Sequence, residues 1–427
     1  MAGNSGSPTG IGPRVLAVRI AAAMLMAITG AALLGTQVGA GQQRPQANAP
    51  ELETFNSRFY EIHSDMPRRH VAAFAEHMDR VYREYSNRFR SFRTRDRREM
   101  PLYLFSDQEA YMRYLAQYRI PAVNSAGMFV SRGPAEGLHA WVGNRPEAAI
   151  NRTLQHEGFH QFAFRHIGPQ LPIWANEGIA QYFDDGLMVN NRMVVGVVNG
   201  SRLASVKNAI ENETYIPFDE MLEMSNADWG RALQQDINRA RIMYHQAWSM
   251  VYFLVHGDNG RYQRPFENYL VAISEGTNPQ RAFEDAFRTD DPRAFENRWR
   301  RVVTQLEPDP LHQTVERLEF IGTAIQFLHN EGRDIPDNMA DLQQKLERGG
   351  YVSWRVHDGI RQTYRASDDE LFQIPARRGE PRPFQMLDPA RDNLPPRVTA
   401  PGIRPQPLLI WRENPRTEKL EFVIQYR

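Results

Sequence analysis

The chain has 427 residues, and its 51 Lys and Arg balance 51 Asp and Glu, so the formal net charge is zero. A neutral chain lacks the basic surface that wholesale nucleic-acid binding requires, while this length allows two or three domains with full cores. Cysteine is absent, which excludes disulfides, Cys-ligated zinc, iron–sulfur clusters and thiol nucleophiles, and leaves any metal to His, Asp and Glu.

The N-terminus reads as a targeting segment. Arg14 and Arg19 lead into the uncharged run Ile20–Leu34, rich in Ala, Leu and Met, and Val38-Gly39-Ala40 follows. This is the charged, apolar and small-residue order of a signal peptide. The uncharged stretch 20–40 is also just long enough for an uncleaved anchor. Residues 1–40 are thus expected to be a signal peptide or an N-terminal anchor. Either places the rest of the chain outside the cytoplasm, secreted or in the periplasm or cell envelope, with membrane contact only if the segment is uncleaved. Residues 41–50 read as a flexible start.

Tyr60–His63 and Pro101–Phe105 read as short strands. Between them the apolar positions Val71, Phe74, Met78, Val81 and Tyr82 follow the helical period over about 67–90. Ala126–Ser131 and Gly137–Val142 read as strands joined by a turn at Gly133-Pro134. The period then changes. Residues 147–166 read as a helix, Pro172 as the first-turn residue of another ending near Gly186, and Met188–Val198 as a hairpin about Asn190-Asn191. Arg239–His256 reads as a helix stopped by Gly257, and 279–305 is helical too. Further helices are expected over 312–330 and 338–348, the latter stopped by Gly349-Gly350. The nine prolines of 375–407 predict an extended, poorly packed stretch. Leu408–Trp411 and Leu420–Tyr426 read as strands about a turn at Asn414-Pro415. The fold class is α+β: a small lobe with a sheet over 51–147, a mainly helical lobe over 148–306, and a small α+β appendage over 311–427.

The chemistry lies between His156 and Glu177. His156-Glu157-Gly158-Phe159-His160 is an H-E-x-x-H string on a predicted helix. Residues four apart share a helix face, so two imidazoles at this spacing can bind one Zn²⁺. Glu157, one residue round, flanks that position, as a general base for a metal-activated water must. His166 stands where a metzincin's third histidine would, but Ala163 replaces the glycine that would break the helix. On a continuous helix His166 sits about 80° round from His156; it is expected to sit at the helix C-terminus, where a cation is favourable. The better third ligand is Glu177, in Trp174-Ala175-Asn176-Glu177-Gly178-Ile179-Ala180-Gln181-Tyr182-Phe183. A helix folding back after the Gly168 turn can present it to the two histidines. Asp184, two turns beyond Glu177, could hold a ligand histidine through its second nitrogen, but a solvated helix end is the more expected role. Asn176 could orient the Glu177 carboxylate or the neighbouring backbone.

The pair HEGFHQF (156–162) and WANEGIAQYF (174–183) resembles the gluzincin zinc peptidases, and most nearly the exported bacterial peptidase MA-like proteins. Sixteen residues separate His160 from Glu177. The resemblance covers roughly 55–305. It implies a gluzincin-like catalytic unit, zinc on His156, His160 and Glu177, Glu157 as base, and a peptide or protein substrate. It also implies an oxyanion-stabilising tyrosine on a downstream helix, a place that Tyr244 fills; a core tyrosine is the equal alternative. One departure stands out. Where gluzincin aminopeptidases carry G-x-M-E-N, this chain reads Gly127-Met128-Phe129-Val130. The acidic anchor for a free amino group is missing, which argues against amino-terminal exopeptidase activity. The expected function is an exported zinc metallohydrolase, a peptidase. The alternative is a non-catalytic envelope binding or scaffold protein that keeps the fold.

Overall fold

A computed structural model describes residues 49–92, 98–122, 125–289, 291–357, 360–376, 380–414, 416 and 418–427. Residues 1–40, expected to be a targeting segment, residues 41–48 of the expected flexible start, and Pro415 of the expected turn lie outside the described residues. The chain is mixed α+β. Among the described residues no helix is long and apolar enough to cross a membrane.

The first lobe holds strands β1 (Glu53–Asn56), β2 (Tyr60–Ser64), β3 (Met100–Phe105), β4 (Gly127–Val130) and β5 (Gly137–Trp141), with helices α1 (Arg68–Arg88) and α2 (Gln108–Gln117). The strands form one sheet in the order β1-β2-β3-β5-β4. Strands β2, β3 and β5 are parallel, and the flanking β1 and β4 are antiparallel to their neighbours. Side chains alternate along β3, as the pleat requires. Leu102 and Leu104 enter one core with Val71, Met78 and Val81 of α1. Phe105 enters a second with Tyr111, Tyr114 and Leu115 of α2. The parallel strands thus have both faces covered.

Helix α3 (Glu147–His166) lies on the α1 side of this sheet and runs unbroken through Ala163. Its first turn carries Glu147 and its last Arg165 and His166, the polarity a helix dipole favours. A Cβ at Gly158 would sit 2.6 Å from Met78 Cε and 3.6 Å from Leu138 Cδ1. A bare Cα there lets α3 approach α1 and the sheet closely. Helix α4 (Ile173–Asp184) follows, with Pro172 at the cap position just before the first turn. The hairpin of β6 (Leu187–Val189) and β7 (Arg192–Val194) is shorter than expected, and Asn190 and Asn191 make its turn with φ of 48° and 64°.

Helices α5 (Gly200–Glu211), α6 (Phe218–Glu223) and α7 (Asn226–Gln235) lead to α8 (Ile237–Gly260), whose helical backbone ends at Gly257. The carbonyl of Ala247 on α8 would lie 2.4 Å from a Cβ at Gly178, so α4 and α8 pack almost backbone to backbone. Helices α9 (Gln263–Ser274), α10 (Pro279–Phe287) and α11 (Pro292–Gln305) complete the main core. The helical stretch expected over 279–305 consists of two helices: Arg288 caps α10 in the left-handed region at φ 54°, and Pro292 starts α11.

The C-terminal residues form α12 (Pro310–Asn330), α13 (Met339–Arg348), β8 (Val352–His357), β9 (Ile360–Arg365), β10 (Gln373–Ile374), β11 (Arg382–Pro383), β12 (Gln385–Leu387), β13 (Arg397–Thr399), β14 (Pro407–Glu413) and β15 (Leu420–Tyr426), and have a separate core. Strands β12 to β15 form an antiparallel sheet under α12. Among the described residues of 375–407, most of 380–393 is exposed, as the prolines suggested, whereas 395–407 packs against the C-terminal core. Phe384, Val398 and Ala400 are buried, and the prolines fall at strand ends and turns, where a missing N–H costs no ladder bond.

Candidate metal centre

His156, His160 and Glu177 form a buried group of metal-ligand type whose donor atoms lie within 4.8 Å of one another. The helical repeat stacks the two imidazoles on one face of α3, edge to face with centroids 4.8 Å apart. Helix α4 folds back and brings Glu177 opposite. Its Oε2 lies 3.3 Å from His156 Nε2 and 3.5 Å from His160 Nε2. Yet His156 Nε2 and Glu177 Oε2 complete no hydrogen bond; the donors converge on a common point instead of pairing. Two ligands about 2.0–2.1 Å from a tetrahedral zinc stand about 3.3–3.4 Å apart. The two histidine–carboxylate distances fit such an ion, as does the two-imidazole, one-carboxylate donor set.

The other ring nitrogens are held from behind. His160 Nδ1 is 3.1 Å from Asn176 Oδ1, and His156 Nδ1 is 3.3 Å from Asp184 Oδ2. Both contacts put the proton on Nδ1 and leave Nε2 for a metal, the arrangement that orients ligand histidines. Asp184 is not the solvated helix end expected of it. It is buried, and Arg202 donates to both its oxygens, at 2.8 and 3.0 Å. Arg202 is itself fully buried, and it also donates to Asp185 Oδ2 and to the Gln181 carbonyl.

These contacts set the proton affinities. Burial disfavours a charged His156, but Asp184 and Glu177 outweigh it and raise its pKa to about 10. Burial alone would raise Glu177; the two histidines instead hold it down to about 2. Glu157 is fully buried, and neither carboxylate oxygen completes a hydrogen bond. Burial raises its pKa, against the pull of His160 and His156. The Phe129 backbone of β4 also lowers it.

His166 ends α3 and does not join the ligand group; its Nε2 lies 3.2 Å from the Tyr82 hydroxyl. Tyr244 is buried on α8, one turn before Ala247, with its ring edge-on to Trp229 at 5.0 Å. That puts it on the helix packed against α4.

Residues 150–270 match a family model described as a protein of unknown function, DUF1570. This chain contains a DUF1570 domain. The description names no activity. The DUF1570 span holds His156, Glu157, His160, Glu177, Asp184, Arg202 and Tyr244, so most of α3 and all of α4, α5 and α8 fall within one matched unit. No curated protein matches the chain.

Proposed function

We propose that the protein is an exported zinc-dependent metallohydrolase that cleaves peptide bonds. One observation carries the reading: beside a buried His156–His160–Glu177 ligand group stands Glu157, a buried carboxylate whose oxygens complete no hydrogen bond. A metal site that is purely structural has no use for such a group, and burying an unpaired carboxylate is costly. When bound, zinc would polarise the scissile carbonyl and lower the pKa of the attacking water.

Glu157 takes the proton from that water as it attacks the carbonyl carbon. It then passes the proton to the leaving nitrogen as the C–N bond breaks. Burial raises its pKa, which makes it a better proton acceptor than an exposed carboxylate. Asp184 and Asn176 keep the imidazoles in register. Strand β4 ends the sheet, bonded on one side to β5; an extended peptide adding to its other edge would lie along the side of the site where Phe129 meets Glu157. Tyr244 is the candidate donor to the oxyanion. The missing acidic anchor in Gly127–Val130 favours internal cleavage over amino-terminal trimming. The N-terminal segment supports action outside the cytoplasm.

The test is metal analysis of the purified protein together with a peptide-library digest with and without chelator. Stoichiometric zinc with chelator-sensitive cleavage is the expected result. Zinc without cleavage would select a binding or scaffold module, and absence of metal would refute the reading.

A further inference from the structure

A buried ionic network behind His156 does not stop at the DUF1570 span. Asp184 and Asp185 are neighbouring buried carboxylates at the end of α4, and Arg202 donates to both. Two adjacent buried anions repel and compete for a shared guanidinium. Asp185 has further partners. Asn199 donates to its Oδ2 at 3.1 Å, and Arg152 Nε lies 3.9 Å from its Oδ1. Arg152 sits one turn before His156 on α3.

Helix α12 enters this network from the far side. His312, buried in its first turn, places Nε2 3.8 Å from Asp185 Oδ1 and Nδ1 3.6 Å from Glu316 Oε2. Glu319, two turns along α12, adds its charge to the field on Arg152. At the other end of α3, Arg412 of β14 donates to Glu147. The C-terminal residues thus touch both the start of α3 and the end of α4, the two helices that carry all three ligands.

We propose that α12 is a positioning element of the metal centre, with His312 acting through Asp185 and Arg202 to hold Asp184 against His156. This rests on the metal reading above. With His312 beside Asp185, Arg202 divides its guanidinium between one oxygen of Asp185 and a two-oxygen fork on Asp184. Without His312, Asp185 draws the guanidinium toward itself, the fork on Asp184 loosens, and the His156 ring loses its orientation. Loss of a contact behind a ligand histidine weakens metal binding by about 10–100-fold. His312 acts two links further back, so the lower end of that range applies.

The experiment uses the full chain and two readouts other than activity: zinc affinity by competition with a chromophoric chelator, and the visible spectrum of the Co²⁺-substituted protein. His312→Leu is expected to weaken zinc by about tenfold and to shift the cobalt bands. His312→Gln, which keeps a donor of similar reach, should recover most of the affinity and the spectrum. Should His312→Leu not fold, His312→Asn, polar but too short to reach Asp185, carries the same expectation. Arg317→Ala is the control. It lies on the same helix and donates to the Gln373 carbonyl inside the C-terminal core, so it should change neither readout. Wild-type affinity in His312→Leu, or an equal loss in Arg317→Ala, would overturn the proposal while leaving the metal reading intact. A wild-type chain that takes up neither ion would overturn both.

Discussion

Asn176 holds His160: its Oδ1 lies 3.1 Å from the ring Nδ1, and Asn176 immediately precedes Glu177 on α4. One helix thus supplies one member of the His156–His160–Glu177 group and the residue that holds another. Asn176→Ala removes the acceptor and frees the ring to rotate. Zinc affinity is expected to fall by about 10–100-fold, read by chelator competition, with the helical circular-dichroism signal unchanged. Asn176→Asp, which keeps an acceptor at the same reach, should retain most of the affinity. Unchanged zinc binding in Asn176→Ala would remove Asn176 from the site.

The ligand helix was legible in the sequence because its information is local. A spacing of four fixes His156 and His160 on one face whatever the tertiary fold, and Ala163 allowed α3 to run on past where a metzincin would break. The return of α4 was written in Gly168 and Pro172. The burial of Asp184 is not legible, because a helix end is usually wet; it depends on Arg202, in a helix beyond the next hairpin, and no period links the two. His312 is more distant still. The proline-rich 375–407 shows the same limit from the other side. Composition registered the prolines, but burial of Phe384, Val398 and Ala400 depends on pairing with β14 and packing under α12.

Metal and proton compete for His156. Its pKa in the metal-free protein is raised to about 10, so the ring is protonated near neutrality and must lose that proton to bind zinc. Zinc uptake between pH 6.5 and 8 should release about one proton per ion, and affinity should rise with pH across that range. Calorimetry in buffers of different ionisation enthalpy measures the count. The metal-free protein should respond differently. The raised His156 pKa contributes stability that is full below about 6.5 and lost as pH rises through about 10. The lowered Glu177 pKa contributes stability that is present above about 4.5 and lost as pH falls toward about 2. Both contributions are complete between about pH 4.5 and 6.5, where chelator-treated protein should show its smallest loss of melting temperature relative to the zinc form. A pH-independent affinity with no proton release would contradict this charge assignment.

Gly178 sets how closely α4 approaches α8. A methyl group there would meet the Ala247 carbonyl oxygen at 2.4 Å and Val251 Cγ2 at 2.8 Å, and a backbone atom cannot rotate away. Gly178→Ala should therefore cost about 1–3 kcal/mol, the usual range for overpacking a core, despite the better helix propensity of alanine. Because Glu177 is the preceding residue, separation of the helices should also weaken zinc. Urea unfolding of the metal-free protein isolates the packing term. A stability equal to or above that of the parent would show that the two helices yield at no cost, and that the close approach does not position Glu177.

The sharpest division between chemistry and binding comes from Glu157→Gln. The side chain keeps its length and shape but can no longer accept a proton. Zinc content should be unchanged, since Glu157 is outside the ligand group. The helix should be unchanged too, since Gln and Glu have similar propensity. The fold should not suffer, because the substitution replaces a buried charge that completes no hydrogen bond with a neutral amide. Proton transfer by a placed base is worth about 10²–10⁴ in rate, so single-turnover cleavage should fall by that order with little change in substrate binding. Tyr244→Phe provides the comparison. If its hydroxyl meets the developing oxyanion, the loss should be smaller but clear, about 10–10³; if the ring only packs on Trp229, turnover should stay near that of the parent. Bound zinc measured in the same samples separates a lost base from a lost metal. Equal turnover in Glu157→Gln and the parent would remove Glu157 as the base.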